Sequence, residues 1–250
     1  MKLFFTVLVF VLLIPSLVFT QNQTDRDDNR LKGSIKSVIE YEAEYEYISK
    51  NWKEKKQLIS RETEYDREGN YLTDIFYNGG EVFQKRFYSF LDGERVVKEE
   101  TFFTKNTVSA ATLTDTKEKK VEEKKYSAKY TYKFDDKGRR IEEKRFSSNG
   151  SLFSTEKTTY KENEIEQISY NSDGTFNFKA ITKFDDKGNE VEYIGESAYI
   201  AGASTFRYSY ESFDAKENWT KRITKILKTK NGKSSFEPYR LYNRKITYFE

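Results

Sequence analysis

The sequence contains no histidine, no cysteine and only two prolines, Pro15 and Pro238. Ser-His-Asp and Cys-His nucleophile arrangements are excluded, because both need an imidazole to take the proton. Zinc, copper, haem and iron–sulfur centres lose their usual ligands, which leaves only all-oxygen sites of the calcium or magnesium kind. No disulfide can form, so stability has to come from packing and hydrogen bonds. With so little proline, nothing interrupts a β-ladder. A surplus of one charge is also missing. Lys+Arg number 44 against 41 Asp+Glu, and the signs are mixed within segments such as Lys117–Lys125. A nucleic-acid binder concentrates basic residues on one face or stretch, so nucleic acid is not expected as a partner.

A long apolar run occurs once, at the start. Residues 1–20 carry one charge, Lys2, ahead of the run Leu3–Ile14. A basic residue, a short apolar stretch and a small residue near position 20 predict a secretory signal peptide. Pro15 interrupts the run, and its length is marginal for spanning a bilayer. No cysteine near position 20 can carry a lipid. The mature chain is therefore expected to be exported to the periplasm or the extracellular space without inserting into the membrane. Residues 21–30 (QNQTDRDDNR) are polar and read as a flexible lead-in. Residues 31–250 form the predicted domain.

That domain is rich in aromatics. Four of the 20 Phe fall in the first 20 residues; the other 16 lie beyond them, with all 19 Tyr and both Trp. Disordered chains are depleted in such residues, whereas sheets are enriched in them. An aromatic-Asp-x-x-Gly turn recurs at Tyr65-Asp66-x-x-Gly69, Phe134-Asp135-x-x-Gly138 and Phe184-Asp185-x-x-Gly188. A fourth copy at Phe213-Asp214 has Glu217 in place of Gly. Simpler turns lie between them: Asn78-Gly79-Gly80, Asp92-Gly93, Asn149-Gly150, Asp173-Gly174 and Asn231-Gly232. Turn signals at 8–12-residue spacing predict sequential antiparallel hairpins. Between turns the residues alternate: Ala128, Tyr130, Tyr132 and Phe134 share one face, and Lys129, Thr131 and Lys133 the other. The fold class is all-β, a long twisted and curved meander sheet. The pattern leaves open whether the sheet curls into a closed barrel.

These turns resemble those of bacterial YD-repeat (Rhs-like) proteins, in which an aromatic-Asp-x-x-Gly-Asn/Arg turn closes each hairpin. The likeness extends over most of residues 31–250, through Asn218-Trp219-Thr220-Lys221-Arg222 to the closing Arg244–Phe249. The resemblance implies a small exported β-hairpin repeat protein and points to no particular activity.

Candidate sites are few. Asp135-Asp136 and Asp185-Asp186 could offer oxygens to Ca²⁺, but each is followed by Lys, and ordinary turn chemistry accounts for them. A glycosidase needs two carboxylates and no histidine, yet among 41 acids no pair is singled out by spacing. No catalytic residue, metal or cofactor is expected. Trp52 and Trp219 offer the largest stacking faces for a ligand. A lipid-facing barrel is disfavoured because Glu81–Phe90 carries charge on both faces. The expected function is non-catalytic: an exported scaffold or binding protein whose partner is an unidentified protein or glycan of the envelope. The alternative is a carbohydrate-binding or carbohydrate-cleaving module using exposed aromatics and carboxylates.

Overall fold

The computed structural model describes residues 23–49, 51–91, 94–101 and 125–250, so the predicted signal peptide lies outside the described residues. The chain forms β1 (Ile35–Ile48), β2 (Asn51–Glu54), β3 (Leu58–Tyr65), β4 (Tyr71–Asn78) and β5 (Glu81–Leu91). It continues as β6 (Glu94–Thr101), β7 (Lys125–Phe134), β8 (Arg140–Phe146), β9 (Leu152–Tyr160) and β10 (Glu164–Asn171). The last five are β11 (Phe176–Phe184), β12 (Glu190–Ser197), β13 (Ile200–Phe213), β14 (Trp219–Lys230) and β15 (Lys233–Tyr248). Sequential strands pair antiparallel, and β15 returns to β1 with Val38 opposite Ile246 and Glu40 opposite Arg244. The sheet is thus a closed 14-strand barrel. The short β2 stands outside the ring, paired only with the end of β1.

Closure settles two points. The mostly charged segment Ile141–Phe146 is an interior strand of the ring. It is bonded to β7 on one side and β9 on the other. The ring has no free edge to protect, because every ring strand has two partners.

The two classes of turn segregate. All four aromatic-Asp turns lie at one mouth, and the turns at Asn78-Gly79-Gly80, Asn149-Gly150, Asp173-Gly174 and Asn231-Gly232 lie at the other; Asp92-Gly93 lies outside the described residues. In each aromatic-Asp turn the Asp amide donates to the carbonyl four residues on, at 2.9 Å, at Asp66, Asp135, Asp185 and Asp214. Its carboxylate accepts the amide of that same residue at 2.8–2.9 Å. The Asp carboxylates of these turns are therefore engaged in holding the backbone. A register shift before each motif aromatic rotates Tyr65, Phe134, Phe184 and Phe213 relative to their strands. Tyr65 and Phe184 are buried by it.

Glu217 adopts φ 62°, the conformation that Gly supplies in the other copies. Holding a side chain there costs about 1 kcal/mol, and its exposed ion pair to Lys32 returns little. Glu217→Gly is expected to stabilise the protein by roughly 0.5 kcal/mol, read as a rise of about 1–2 °C in the melting midpoint. An unchanged or lowered midpoint would show that the Lys32 pair outweighs the backbone strain.

The segment expected to be a flexible lead-in is folded. Residues Asp25–Asp28 form a one-turn helix, α1, with Thr24 and Asp27 making a reciprocal capping box. The segment crosses the mouth that carries the four aromatic-Asp turns and bonds to each of them. The Gln23 amide donates to Gly138 O at 2.7 Å and the Arg26 amide to Gly69 O at 2.9 Å. The Arg30 guanidinium reaches Gly188 O. The Lys32 amide donates to the Asn218 side chain, which donates back to Lys32 O. Leu31 then packs with Ile35, Val38 and Tyr65 in a small apolar cluster under the plug.

Candidate functional site

A 14-strand ring is too wide for apolar side chains to fill; eight strands is the size at which they do so. The lumen is instead occupied by long polar groups. Inward cations on the strands are arginines, each on a carboxylate. Arg61 binds Asp74 bidentately at 2.7 Å, Arg244 donates to Glu40 at 2.7 Å, and Arg222 donates to Glu190 at 3.1 Å. Arg86 and Arg145 converge on Glu99. Tyrosines stand between them: Arg222 lies over Tyr208 and Tyr242, and Arg95 over Tyr88 and Tyr132. The lysines of the same strands alternate onto the outer wall and pair there with Glu. Examples are Lys133–Glu142 at 2.8 Å, Lys179–Glu166 at 3.0 Å and Lys221–Glu211 at 2.7 Å. The partition follows from chemistry. A guanidinium is less strongly hydrated and binds carboxylates in a planar fork, so it tolerates burial that an ammonium resists.

The plug sends one carboxylate into this interior. Asp25, 1% exposed, accepts from Arg95, from Arg140 at 3.1 Å and from the Tyr71 amide at 2.7 Å. Arg95 is itself buried and also donates to the Tyr132 hydroxyl at 3.1 Å. Arg140 additionally holds Asp28 at 2.6 Å.

Three cavities surround the plug's inner side. One of about 480 Å³ lies against β12, β14, β15, β1 and the plug; its wall includes Arg30, Glu40, Arg61, Glu190, Trp219, Arg222 and Arg244. It reaches the mouth where Lys32, Lys187 and Glu217 are exposed. A second, of about 260 Å³, is lined by Asp28, Arg140, Glu143, Glu156, Tyr160, Gln167 and Phe184. A third, of about 200 Å³, sits over Asp25, Arg95 and Tyr132.

The second cavity gathers carboxyls. Burial pushes Glu143 up to about 7, the facing Glu156 adds to the shift, and Arg140 opposes it. Burial also raises Glu156, against a hydrogen bond donated by Gln167 at 2.9 Å. Asp28 is pushed up to about 6 by burial, partly offset by Arg140. A third of the Asp28 side chain still opens onto the cavity.

The two tryptophans do not meet. Trp219 opens β14 at the plugged mouth and lines the 480 Å³ cavity, with Arg244 3.5 Å and Arg222 4.5 Å from its ring centre. Trp52 is on β2 at the opposite mouth, 38% exposed, its ring centre 5.1 Å from that of Tyr47. The turn residues Tyr65, Asp66, Gly69, Phe134, Asp135, Gly138, Phe184, Asp185 and Gly188 frame the plugged mouth. Of these, Phe184 lines the 260 Å³ cavity and Gly188 the 480 Å³ one. Sequence reasoning missed Asp25, Asp28, Arg30 and the lumenal arginines. The available signal was the arginine–lysine difference within strands, which is lost when the two are counted together.

No family model and no curated protein matches the sequence. Among solved structures, the chain is similar to a porin-like protein from Bacteroides uniformis ATCC 8492. The two are 11% identical with a TM-score of 0.49, over 86% of this chain and 99% of that one.

Proposed function

We propose that the protein is an exported, water-soluble, non-catalytic barrel of the envelope or extracellular space that binds a small polar ligand inside its plugged lumen. The observation that carries this reading is the 480 Å³ cavity, a size typical of small-molecule sites, walled by guanidinium, carboxylate and indole groups. The outer wall supports solubility, since its Lys–Glu pairs would each cost about 2–4 kcal/mol against hydrocarbon. The YD-like turns fit the same picture, supplying a rigid mouth to which the plug is tied.

The test is a thermal melt of the purified protein with the low-molecular-weight fraction of an envelope extract. A ligand bound only by the folded state raises the midpoint; a rise of a few degrees is expected, and an unchanged midpoint counts against lumenal binding. In the same preparation, partition into the detergent phase of a cloud-point separation would defeat the water-soluble assignment.

A second reading rests on the exposed Tyr47–Trp52 pair, which stands on the β1–β2 hairpin outside the ring. Stacked aromatics there suit a glycan surface. Binding on a glycan array that is lost in Trp52→Ala but kept in Trp219→Ala would favour it.

A further inference from the structure

We propose that the 480 Å³ cavity takes a small oxyanion, a carboxylate- or phosphate-bearing molecule, held by Arg30, Lys187 and Arg222. This rests on the lumenal reading above and gives it a ligand class.

The charges around the cavity do not cancel once pairs are removed. Every lining carboxylate already has a cation: Glu40 has Arg244, Glu190 has Arg222, Glu217 has Lys32, Asp28 has Arg140 and Asp27 has Arg26. Arg30 and Lys187 make no direct ion pair with a carboxylate among the described residues; Glu190 and Glu217 act on them only from further off. The Arg30 guanidinium lies 3.5 Å from the centre of the Phe184 ring and lines the cavity. Its one hydrogen bond is a long one to Gly188 O. A guanidinium with several N–H donors left unpaired is suited to a planar or tetrahedral oxyanion. Arg222 is buried among Tyr208, Trp219 and Tyr242, and its Nε–H has no acceptor among the described residues. A buried donor left unmade is costly, and an oxygen entering the cavity beside Trp219 would satisfy it. The exposed Lys187 at the mouth adds attraction along the approach.

The experiment follows Trp219 fluorescence of the exported protein in a Trp52→Phe background. Inorganic phosphate, citrate, glucuronate, spermidine and glucose are titrated at matched ionic strength. A saturable change with at least one oxyanion is expected, weakened about tenfold or more in Arg30→Gln and in Lys187→Gln. The exposed Lys187→Gln variant should keep the parent melting midpoint. Response to phosphate alone assigns a phosphate group; response to citrate or glucuronate alone assigns a carboxylate. Saturation by spermidine or glucose and by no oxyanion overturns the anion assignment and leaves lumenal binding standing. Silence to all five overturns both. An oxyanion response indifferent to both substitutions overturns the site.

Discussion

Asp25→Ala is expected to cost about 3–5 kcal/mol of unfolding free energy, because it leaves Arg95 buried without its carboxylate. Removing one partner of a buried pair is more harmful than removing both, since the survivor keeps its desolvation penalty. Arg140 retains Asp28, so the loss falls mainly on Arg95, whose remaining hydrogen-bond partner among the described residues is the Tyr132 hydroxyl. In a urea titration the midpoint should fall with little change in slope. Asp25→Ala combined with Arg95→Met should recover much of the loss, because the apolar side chain fills the site without a charge. A single-variant loss below about 1 kcal/mol would mean that the plug is not structurally coupled to the ring. The effect also bears on binding. The plug forms part of the 480 Å³ cavity wall, so loosening it should weaken any lumenal ligand alongside the fold.

Much of the wall was legible from local pattern. The alternation in β7 placed Ala128, Tyr130 and Tyr132 together and Lys129 and Lys133 opposite them. The structure turns Tyr130 and Tyr132 to the lumen and Lys133 to the outer wall. The turn motifs were legible for a physical reason: each needs an Asp to accept the backbone amide four residues later and a residue that tolerates positive φ. Closure was not legible, because it depends on Val38 meeting Ile246 across the whole chain, and no local period encodes that pairing. The plug was hidden for a different reason. Asp25 is polar because its partners are arginines contributed by β6 and β8, so a low-hydrophobicity segment looked disordered although its Thr24 and Asp25 are buried. The same logic concealed β8: a strand between two charged environments shows no hydrophobic alternation, and alternation of Arg/Glu with Lys/Glu is its only trace.

Glu143→Gln is expected to stabilise the protein at pH 8 and to change little at pH 4.5. Glu143 and Glu156 are direct partners across β8 and β9, both turned inward, where like charges oppose each other. No donor to the Glu143 carboxylate is found among the described residues, whereas Glu156 accepts from Gln167. A folded-state value near 7 against 4.5 when unfolded means that the folded protein binds the proton more tightly. Stability therefore falls as the pH rises from about 4.5 to about 7, and the penalty is complete above that window. The full separation corresponds to roughly 3 kcal/mol; part of the group opens onto the cavity, and about 1–2 kcal/mol is the expected gain of the variant at pH 8. Urea midpoints at the two pH values check it, and an equal effect at both would show that the carboxyl is not the titrating group. Glu156→Gln should give less, since it also replaces the charged acceptor of Gln167 with a neutral amide oxygen. Adding it to Glu143→Gln should give less still, because the repulsion that each relieves is the same one.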